Sequence, residues 1–405
     1  MNMKKLLCVV SCPISCYAGY GARSRDLVKQ LIRVKPDWDV KILPQRWGDT
    51  RQSYLEDHEE YDLIGRCIAK VEGKPDIWMQ ITVPNEFQPV GKFNIGFTAA
   101  IETTLCDSSW IEGCNRMNLV VVSSKHGKFS LENSVYTNGQ TGDQLKVRVP
   151  IEILFEGVDT NVYKPLTATS NILKDVKNPW NFLCVGHWLP GSFGQDRKNI
   201  AYTIKAFLEI FKDQPNAPGL ILKTTRCNAS ISDQNDILDK IYTIRESVQY
   251  KKSLPDIYLL HGDLSDEEMN ELYQNYKVRA LVSLTKGEGF GRPLLEFAFT
   301  GKPVICSGWS GPVDFLDPKH SILIGGKIQQ VHPDSVQPHV ILKEASWFTP
   351  DDREVQVGLV DAVKHYDRWK KASKEYAKQL QSTMTVDCMG TKLAEILDNY
   401  VNLED

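Results

Sequence analysis

The chain has 405 residues, of which 42% are hydrophobic and 24% charged. This composition excludes disordered, collagen-like and disulfide-scaffold proteins, and the length suits two domains of ordinary size. The formal net charge is −3, and it is evenly spread, since residues 1–165 carry 20 basic and 20 acidic side chains. Nothing in these totals indicates a nucleic-acid or membrane-binding protein.

The N-terminal apolar run is too short to be a targeting segment. Residues 6–10 are apolar, whereas a membrane-spanning helix needs about 20 such residues. We therefore expect a cytoplasmic protein with no membrane association. The closest cysteines, Cys8, Cys12 and Cys16, have no CxxC pair or Cys/His box beside them. This spacing favours reduced thiols over zinc ligands, and no metal is expected.

Short apolar runs alternate with longer mixed segments, which indicates α/β layering. In the first half, a buried strand over 5–10 leads through a turn-rich stretch into helical spacing over 24–32. Further strands are predicted over residues 39–43, 76–81, 92–97 and 118–122. Together these runs predict one open parallel sheet.

The same pattern restarts after a polar connection near residues 163–180. Strands are predicted over residues 181–185, 219–222, 257–260, 280–284 and 303–306, with helical segments between them. We therefore predict two doubly wound α/β domains, over 1–165 and 175–384. An amphipathic helix at about 385–405 is expected to cross back onto the first domain.

The most informative stretch is TKGEGFGRPLLEFAFTGKPV, residues 285–304. Its glycines follow a predicted strand and precede a helix that Pro293 suits at its first position. Backbone N–H groups at such a helix start can bind an anion, for example a diphosphate. Glu288 and Glu296 place two carboxylates at one strand end, where α/β sheets bind ligands. Alone, the stretch is equally consistent with a plain glycine turn.

Residues 285–304 resemble the E-x7-E signature of retaining, nucleotide-sugar-dependent glycosyltransferases of the GT-B fold, family four. Residues 301–314, GKPVICSGWSGPVD, resemble the GxPVxxxxxGG continuation of that family. Residues 155–165, FEGVDTNVYKP, resemble its NGVDxxxFxP domain junction. The resemblance, clear over 150–320, implies two Rossmann-like domains facing across a cleft. It implies a nucleoside diphosphate sugar as donor substrate, bound by the second domain, and no obligatory metal or other cofactor.

The resemblance also implies a role for each matching residue. Glu296 would bind the ribose hydroxyls of the donor, because an ionised carboxylate can accept two hydrogen bonds. Glu288 would lie near the transferred sugar. Lys198 matches the basic residue on the donor diphosphate, where charge develops as the glycosidic bond breaks. The implied catalytic residues are Glu288, Lys198 and Arg197. The implied donor-binding residues are Glu296, Gly289, Phe290, Gly291, Gly186 and His187.

The sequence departs from the family pattern at two places. His187 follows Gly186 where the family has Arg, so the missing charge would come from Arg197 or from protonated His187. The stretch 95–104 lacks the histidine that some members place near the sugar, which leaves Thr98 or Glu102 in its place. The loop over 15–25 opens a helix and, by resemblance, faces the acceptor or the donor phosphate; a plain turn remains the alternative. The implied cleft residues are Gly19, Gly21, Arg23, Thr98 and Glu102.

Residues 16–26 and 101–116 resemble glycosyltransferases encoded by large bacteriophages, some of which glycosylate hydroxymethylated pyrimidines of phage DNA. The resemblance implies double-stranded DNA with a modified base as acceptor and, for a viral protein, the host cytoplasm. A basic patch would then be formed by Arg23, Arg25, Lys125, Lys128, Lys146 and Arg148. The aromatic candidates to stack on a flipped base, or to pack in the core, are Trp47, Trp78 and Trp110.

Other functions remain open at this point. The acceptor could be a saccharide, a lipid-linked sugar or a protein. The chain could also be a GT-B nucleotide-sugar epimerase, which needs no acceptor, or a silent binding module for a nucleotide sugar. UDP is expected as the nucleotide of the donor only because of the family resemblance. Neither the sugar nor the oligomeric state follows from the sequence.

Overall fold

The computed structural model describes residues 5–167, 171–191, 193–226 and 229–401. The chain divides into two compact units. The first comprises Met1–Gly157, Gln337–Ala345 and Met384–Asp405, and the second comprises Val158–Val336 and Ser346–Thr383. The division after Gly157 lies a few residues before the boundary predicted at 165. No feature of the sequence predicts that Gln337–Ala345 belongs to the first unit.

The first unit contains a six-stranded parallel sheet in the order β2-β1-β3-β4-β5-β8. A short antiparallel pair, β6 and β7, lies apart from it. In chain order the elements are β1 (Leu7–Cys12), α1 (Gly19–Val34), β2 (Asp39–Pro44), α2 (Tyr54–Asp57), α3 (Tyr61–Gly65), β3 (Ile77–Ile81), β4 (Phe93–Thr98), α4 (Ser108–Asn115), β5 (Leu119–Val122), α5 (Lys125–Asn133), β6 (Tyr136–Thr137), β7 (Gln144–Leu145) and β8 (Ile151–Ile153).

The second unit contains another six-stranded parallel sheet, in the order β11-β10-β9-β12-β13-β14, and an antiparallel pair, β15 and β16. Its elements are β9 (Asn181–Val185), α6 (Ile200–Phe211), β10 (Gly219–Lys223), α7 (Ile231–Glu246), β11 (Ile257–Leu260), α8 (Asp266–Gln274), β12 (Val278–Ser283), α9 (Arg292–Ala298), β13 (Val304–Ser307), β14 (Ile322–Ile324), β15 (Gly326–Gln330), β16 (Ser346–Pro350), α10 (Asp352–Lys364) and α11 (Tyr366–Thr383).

The last helix, α12 (Val386–Tyr400), belongs to the first unit and packs against α1. Leu393, Ile396 and Leu397 of α12 are buried in the same apolar core as Leu27 and Leu31 of α1. The apolar residues of both helices recur at helical spacing, which explains why each helix buries one face. No helix in the described part of the chain is long and apolar enough to cross a membrane.

The strands form parallel sheets because their sequences are nearly continuous apolar runs. Every residue of β3 and β5 is buried, as expected for strands that helices cover on both faces. In the second unit the strand order changes direction between β9 and β12. In doubly wound sheets this switch point opens a crevice at the carboxyl ends of the strands, where ligands bind. The described parts of the loops that follow these two strands, 186–191 with 193–199 and 284–291, therefore hold the first candidates for function.

The start of α1 depends on a close backbone approach at Gly21. A Cβ atom at Gly21 would lie only 2.0 Å from the carbonyl oxygen of Cys16, whereas a Cβ at Gly19 would meet nothing within 4 Å. We therefore expect Gly21→Ala to lower the free energy of unfolding by about 1–3 kcal/mol, as overpacking does. Gly19→Ala is the control and should leave stability unchanged or slightly raised. Urea unfolding of both variants tests this, and equal midpoints would contradict it.

Candidate functional site

The candidate site lies at the carboxyl ends of β9 and β12 in the second unit. Two loops meet there. Lys286 N–H donates to the carbonyl oxygen of Arg197 at 2.8 Å. The side-chain amide of Asn199 donates to the carbonyl oxygen of Leu284 at 3.0 Å. These bonds hold the loop after β9 against the loop after β12 and bring the residues that the sequence analysis assigned to catalysis into one cluster.

An ion cluster around Glu288 is the centre of the site. Lys198 Nζ donates to both carboxylate oxygens of Glu288, at 2.7 and 2.8 Å. Arg197 Nη1 lies 3.5 Å from Glu288 Oε2 and donates to the carbonyl oxygen of Gly287 at 2.7 Å. Glu288 itself is only 7% exposed. The structure thus brings together the three residues predicted as catalytic.

The cluster keeps Glu288 ionised. Burial alone would raise the pKa of this carboxyl, but the charges of Lys198 and then Arg197 outweigh burial and hold the pKa below its usual value. Two cations and one carboxylate leave a local excess of one positive charge. Such an excess, held by groups with little exposure to water, suits an anionic ligand.

Hydrogen bonds and one glycine with a positive φ angle fix the loop after β12. The Glu288 N–H donates to Ser310 Oγ at 2.9 Å, and the Gly311 N–H donates to the Glu288 carbonyl oxygen at 3.1 Å. Gly291 has φ +102°, a conformation that favours glycine. Pro293 was predicted at the first position of the helix and is in fact its second residue, because α9 begins at Arg292. The motif residues therefore form one rigid turn that ends in α9.

Glu296 lies in a different environment, within α9. Arg292 Nε lies 2.7 Å from Glu296 Oε1, and the Tyr273 hydroxyl donates to Glu296 Oε2 at 3.3 Å. Burial is the main influence and raises the pKa of Glu296 to about 7, although Arg292 acts in the opposite direction. Arg292 could have been recognised from its i, i+4 spacing to Glu296. Tyr273 lies on α8 and belongs to no motif, so no sequence pattern points to it.

The surroundings of His187 disfavour its positively charged form. Its Nδ1 lies 3.0 Å from Thr225 Oγ1. Burial, followed by the charges of Lys198 and Lys223, lowers the pKa of His187. Gly186, just before it, would place a Cβ 3.7 Å from Lys198 Cδ, an ordinary contact. Of the two sources of charge that the sequence left open, the electrostatics favour Arg197.

The residues predicted on the acceptor side belong to the first unit and are mostly buried. Thr98 is fully buried, and its Oγ1 lies 3.1 Å from the Tyr20 hydroxyl. Arg23 is 2% exposed and donates to the Leu154 carbonyl oxygen at 2.9 Å. Gly19 begins α1, and Glu102 follows β4 in a half-buried position. The structure thus places Arg23 inside the unit, and its role towards an acceptor stays a prediction.

The predicted basic patch is smaller than the sequence suggests. Arg25 is also buried, where Nη1 donates to the Cys16 carbonyl oxygen at 2.8 Å and the guanidinium lies 3.3 Å from the centre of the Tyr54 ring. Of the remaining predicted cations, Lys128 is half-buried, and Lys125, Lys146 and Arg148 are exposed.

The three tryptophans proposed for base stacking differ in exposure. Trp78 and Trp110 are buried in the core of the first unit. Trp47 is half-buried and stacks on Tyr20 with the ring centres 4.1 Å apart. Core packing therefore accounts for two of the three. Among the residues that the structure describes, no group of three or more His, Cys, Asp or Glu side chains is placed to hold a metal ion.

Comparisons with known proteins identify the fold. No protein-family model matches the chain, and no curated protein matches it. Similar solved structures include Anabaena HepE in complex with UDP and glucose, with a TM-score of 0.64 and 13% identity over 97% of this chain and 100% of that one. Sucrose-phosphate synthase from Thermosynechococcus elongatus has a TM-score of 0.61 and 10% identity over 98% and 99%.

A third similar structure is the α,α-trehalose-phosphate synthase (UDP-forming) from Burkholderia vietnamiensis. Its TM-score is 0.59, with 9% identity over 99% of this chain and 98% of that one. At such identities the likeness establishes a shared fold and leaves the substrates as properties of those proteins. The predicted pair of doubly wound parallel-sheet domains, the GT-B fold class, is thereby confirmed.

The raised pKa of Glu296 predicts how stability changes with pH. The folded-state pKa rises from 4.5 to about 7. The buried carboxyl therefore lowers stability progressively above pH 4.5, by about 3 kcal/mol once the pH exceeds 7. We expect Glu296→Gln to match the parent near pH 4 and to be more stable by up to about 3 kcal/mol at pH 8. Denaturant unfolding at both pH values measures the difference.

Glu288→Gln is the matched control with the opposite sign. Because the pKa of Glu288 is lowered in the folded state, its carboxylate contributes stability above its usual pKa, and this contribution is lost as the pH falls through the folded-state value. Glu288→Gln should therefore be less stable than the parent at pH 8 and should approach it at low pH. If the two variants changed in parallel, the opposed environments of the two carboxyls would be disproved.

Proposed function

We propose that this chain is a retaining glycosyltransferase that moves a sugar from a UDP-sugar to an acceptor hydroxyl. The observation that carries the proposal is the buried, ionised Glu288 held by Lys198 and Arg197 at the switch point of the second sheet. The order of motifs that resembles family-four enzymes supports it. Further support comes from similar structures, one of which is a complex with UDP and glucose and another a UDP-forming synthase.

The donor diphosphate is proposed to bind the cations of the ion cluster. Lys198 and Arg197 carry one charge more than Glu288 neutralises, and a diphosphate would complete that balance. The leaving diphosphate gains negative charge as the bond to the sugar breaks, so fixed cations favour the transition state over the ground state. Because side chains supply this charge, the proposed reaction requires no obligatory metal ion.

The two carboxyls are proposed to hold different parts of the donor. Glu288, kept ionised, can only accept hydrogen bonds and would bind hydroxyls of the transferred sugar. Glu296 would bind the ribose, and the turn at Gly289, Phe290 and Gly291 would place its backbone N–H groups near the phosphates. Thus one loop and the helix after it would fix the sugar relative to its leaving group.

Transfer with retention is proposed to proceed on one face of the sugar. The bond between the anomeric carbon and the diphosphate oxygen breaks, and the acceptor oxygen forms its bond to the same carbon from the same side. The proton of the acceptor hydroxyl passes to the departing diphosphate oxygen. Lys198 and Arg197 stabilise the charge that develops on that oxygen before the proton arrives.

For the acceptor, we propose a hydroxymethylated pyrimidine in double-stranded DNA, because of the resemblance to bacteriophage-encoded enzymes. Lys125, Lys146 and Arg148 are exposed cations of the first unit that could contact phosphates. Trp47 is the half-buried aromatic side chain that could stack on an extruded base. A saccharide, lipid-linked sugar or protein acceptor, and an epimerase that needs no acceptor, are the alternatives that experiments must separate.

Nucleotide binding tests the donor half of the proposal. A ligand at 100 times its Kd stabilises the folded state by about 2.7 kcal/mol, so UDP should raise Tm by several degrees. Lys198→Met should reduce the shift strongly, because the diphosphate loses one of its two cations. Lys212→Met removes a lysine of the same unit that pairs with Glu209 on the surface and should leave the shift unchanged. GDP, ADP and NAD complete the panel. A UDP shift as large in Lys198→Met as in the parent chain would contradict the proposed site.

Product analysis tests the acceptor. With UDP-glucose as probe, a duplex that contains 5-hydroxymethylcytosine should gain the mass of one hexose, and an unmodified duplex should not. The combined change Lys146→Ala and Arg148→Ala should reduce transfer and its dependence on salt, while UDP binding stays intact. Transfer to an oligosaccharide instead, without sensitivity to salt, would overturn the DNA acceptor. Isomerisation of UDP-glucose without any acceptor would identify an epimerase.

A further inference from the structure

Two side chains from different helices hold the two oxygens of Glu296. Arg292, the first residue of α9, places Nε 2.7 Å from Oε1. Tyr273 of α8 donates its hydroxyl to Oε2 at 3.3 Å, and it is fully buried. Because each oxygen is held from a separate element, the carboxylate plane cannot rotate freely about the side-chain axis.

The remaining acceptor capacity of Glu296 can be counted. An ionised carboxylate offers about four lone-pair positions, two on each oxygen. Arg292 occupies one position on Oε1, and Tyr273 occupies one on Oε2. Within the part of the chain that the structure describes, these two bonds leave one lone-pair position on each oxygen. This is the pattern that accepts two hydrogen bonds from a pair of adjacent hydroxyls, a vicinal diol.

The charged and titratable groups around Glu296 act in opposite directions. Burial and, on α8, Asp266 raise the pKa of Glu296. Arg292 on its own helix lowers that pKa, and so does the hydrogen bond from Tyr273. Tyr163, which stacks on Tyr273 with ring centres 6.1 Å apart, also couples electrostatically to Glu296. Without Arg292, the balance would shift towards the protonated acid, which has lost an acceptor position to its own proton.

We propose that Arg292 and Tyr273 are positioning residues that orient the Glu296 carboxylate towards the vicinal diol of a ribose. The site therefore selects ribonucleoside diphosphates against 2′-deoxyribonucleoside diphosphates. This inference rests on the proposed donor site and assigns to Arg292 a role in binding selectivity that the E-x7-E motif does not assign. Arg292 acts through Glu296 and is not a catalytic residue.

The test compares UDP with 2′-deoxy-UDP. Isothermal titration at pH 6, 7, 8 and 9 gives the ratio of the two Kd values, in which any titration of the shared phosphates cancels. For the parent chain, the ratio should favour UDP by about tenfold or more at pH 8, as expected for a hydrogen bond to a charged group. The preference should fall as the pH drops below 7, because Glu296 becomes protonated.

Substitutions at Arg292 separate positioning from a structural role. Arg292→Leu should reduce the preference for UDP at pH 7 to nearly one, and the preference should return towards pH 9, as the carboxyl ionises at higher pH. Binding of 2′-deoxy-UDP should change less than threefold. Arg292→Lys keeps the positive charge, so the pH at which the preference for UDP is half-lost should stay close to that of the parent chain. Tyr273→Phe should reduce the preference at every pH, since it frees the orientation of Oε2. Thermal unfolding of each variant without nucleotide confirms that it is folded.

Each outcome points to one conclusion. If the parent chain binds neither nucleotide, the proposed function fails, and the inference fails with it. If it binds UDP and Glu296→Ala abolishes the preference, but Arg292→Leu leaves the ratio and its pH midpoint unchanged, the inference alone is wrong. If Arg292→Leu weakened the binding of both nucleotides equally at all pH values, Arg292 would have a structural role, and the inference would be wrong. Tighter UDP binding by Arg292→Leu would show that Arg292 obstructs the ribose, which also overturns the inference.

Discussion

The site depends on one interaction, the burial of the Glu288 carboxylate between Lys198 and Arg197. An ionised carboxylate without a partner is too costly to bury. The loop after β12 can therefore adopt its observed conformation only because the loop after β9 supplies two cations. A further hydrogen bond joins the same two loops, since Thr285 Oγ1 donates to the Arg197 carbonyl oxygen at 3.1 Å. The contacts that hold the two loops together thus also place the three charged side chains next to each other.

Glu288 and Glu296 show how one short segment gives two carboxyls different properties. Both are almost fully buried, so burial raises the pKa of each. Two cations more than offset this effect at Glu288, whereas Arg292 offsets only part of it at Glu296. Two acids whose pKa values are pushed apart by their surroundings are a pattern that recurs at functional sites.

The sequence predicted the fold for physical reasons, whereas Glu288, Lys198 and Arg197 were assigned from the family resemblance and their pairing was not predicted. Continuous apolar runs form parallel strands, and the switch point follows from strand order. The sequence could not predict the burial of Arg23 and Arg25, which looked like exposed cations at a helix start. Their partners include the carbonyl oxygens of Leu154 and Cys16, which tertiary packing alone brings within reach. Buried arginines of this kind stabilise a unit, and a charge count over the sequence mistakes them for a binding surface.

Identities of 9–13% with the similar structures show how little of the sequence this fold requires. The apolar pattern of the strands can be met by many combinations of Val, Ile, Leu and Phe, so it leaves few constraints at individual positions. The loops at the carboxyl ends are different, because each side chain there must meet a particular partner at a particular distance. In the role that we propose for it, Arg292 illustrates the consequence. A residue that the fold does not require can still determine which ligand the site accepts, and such residues are where proteins of one fold diverge in function.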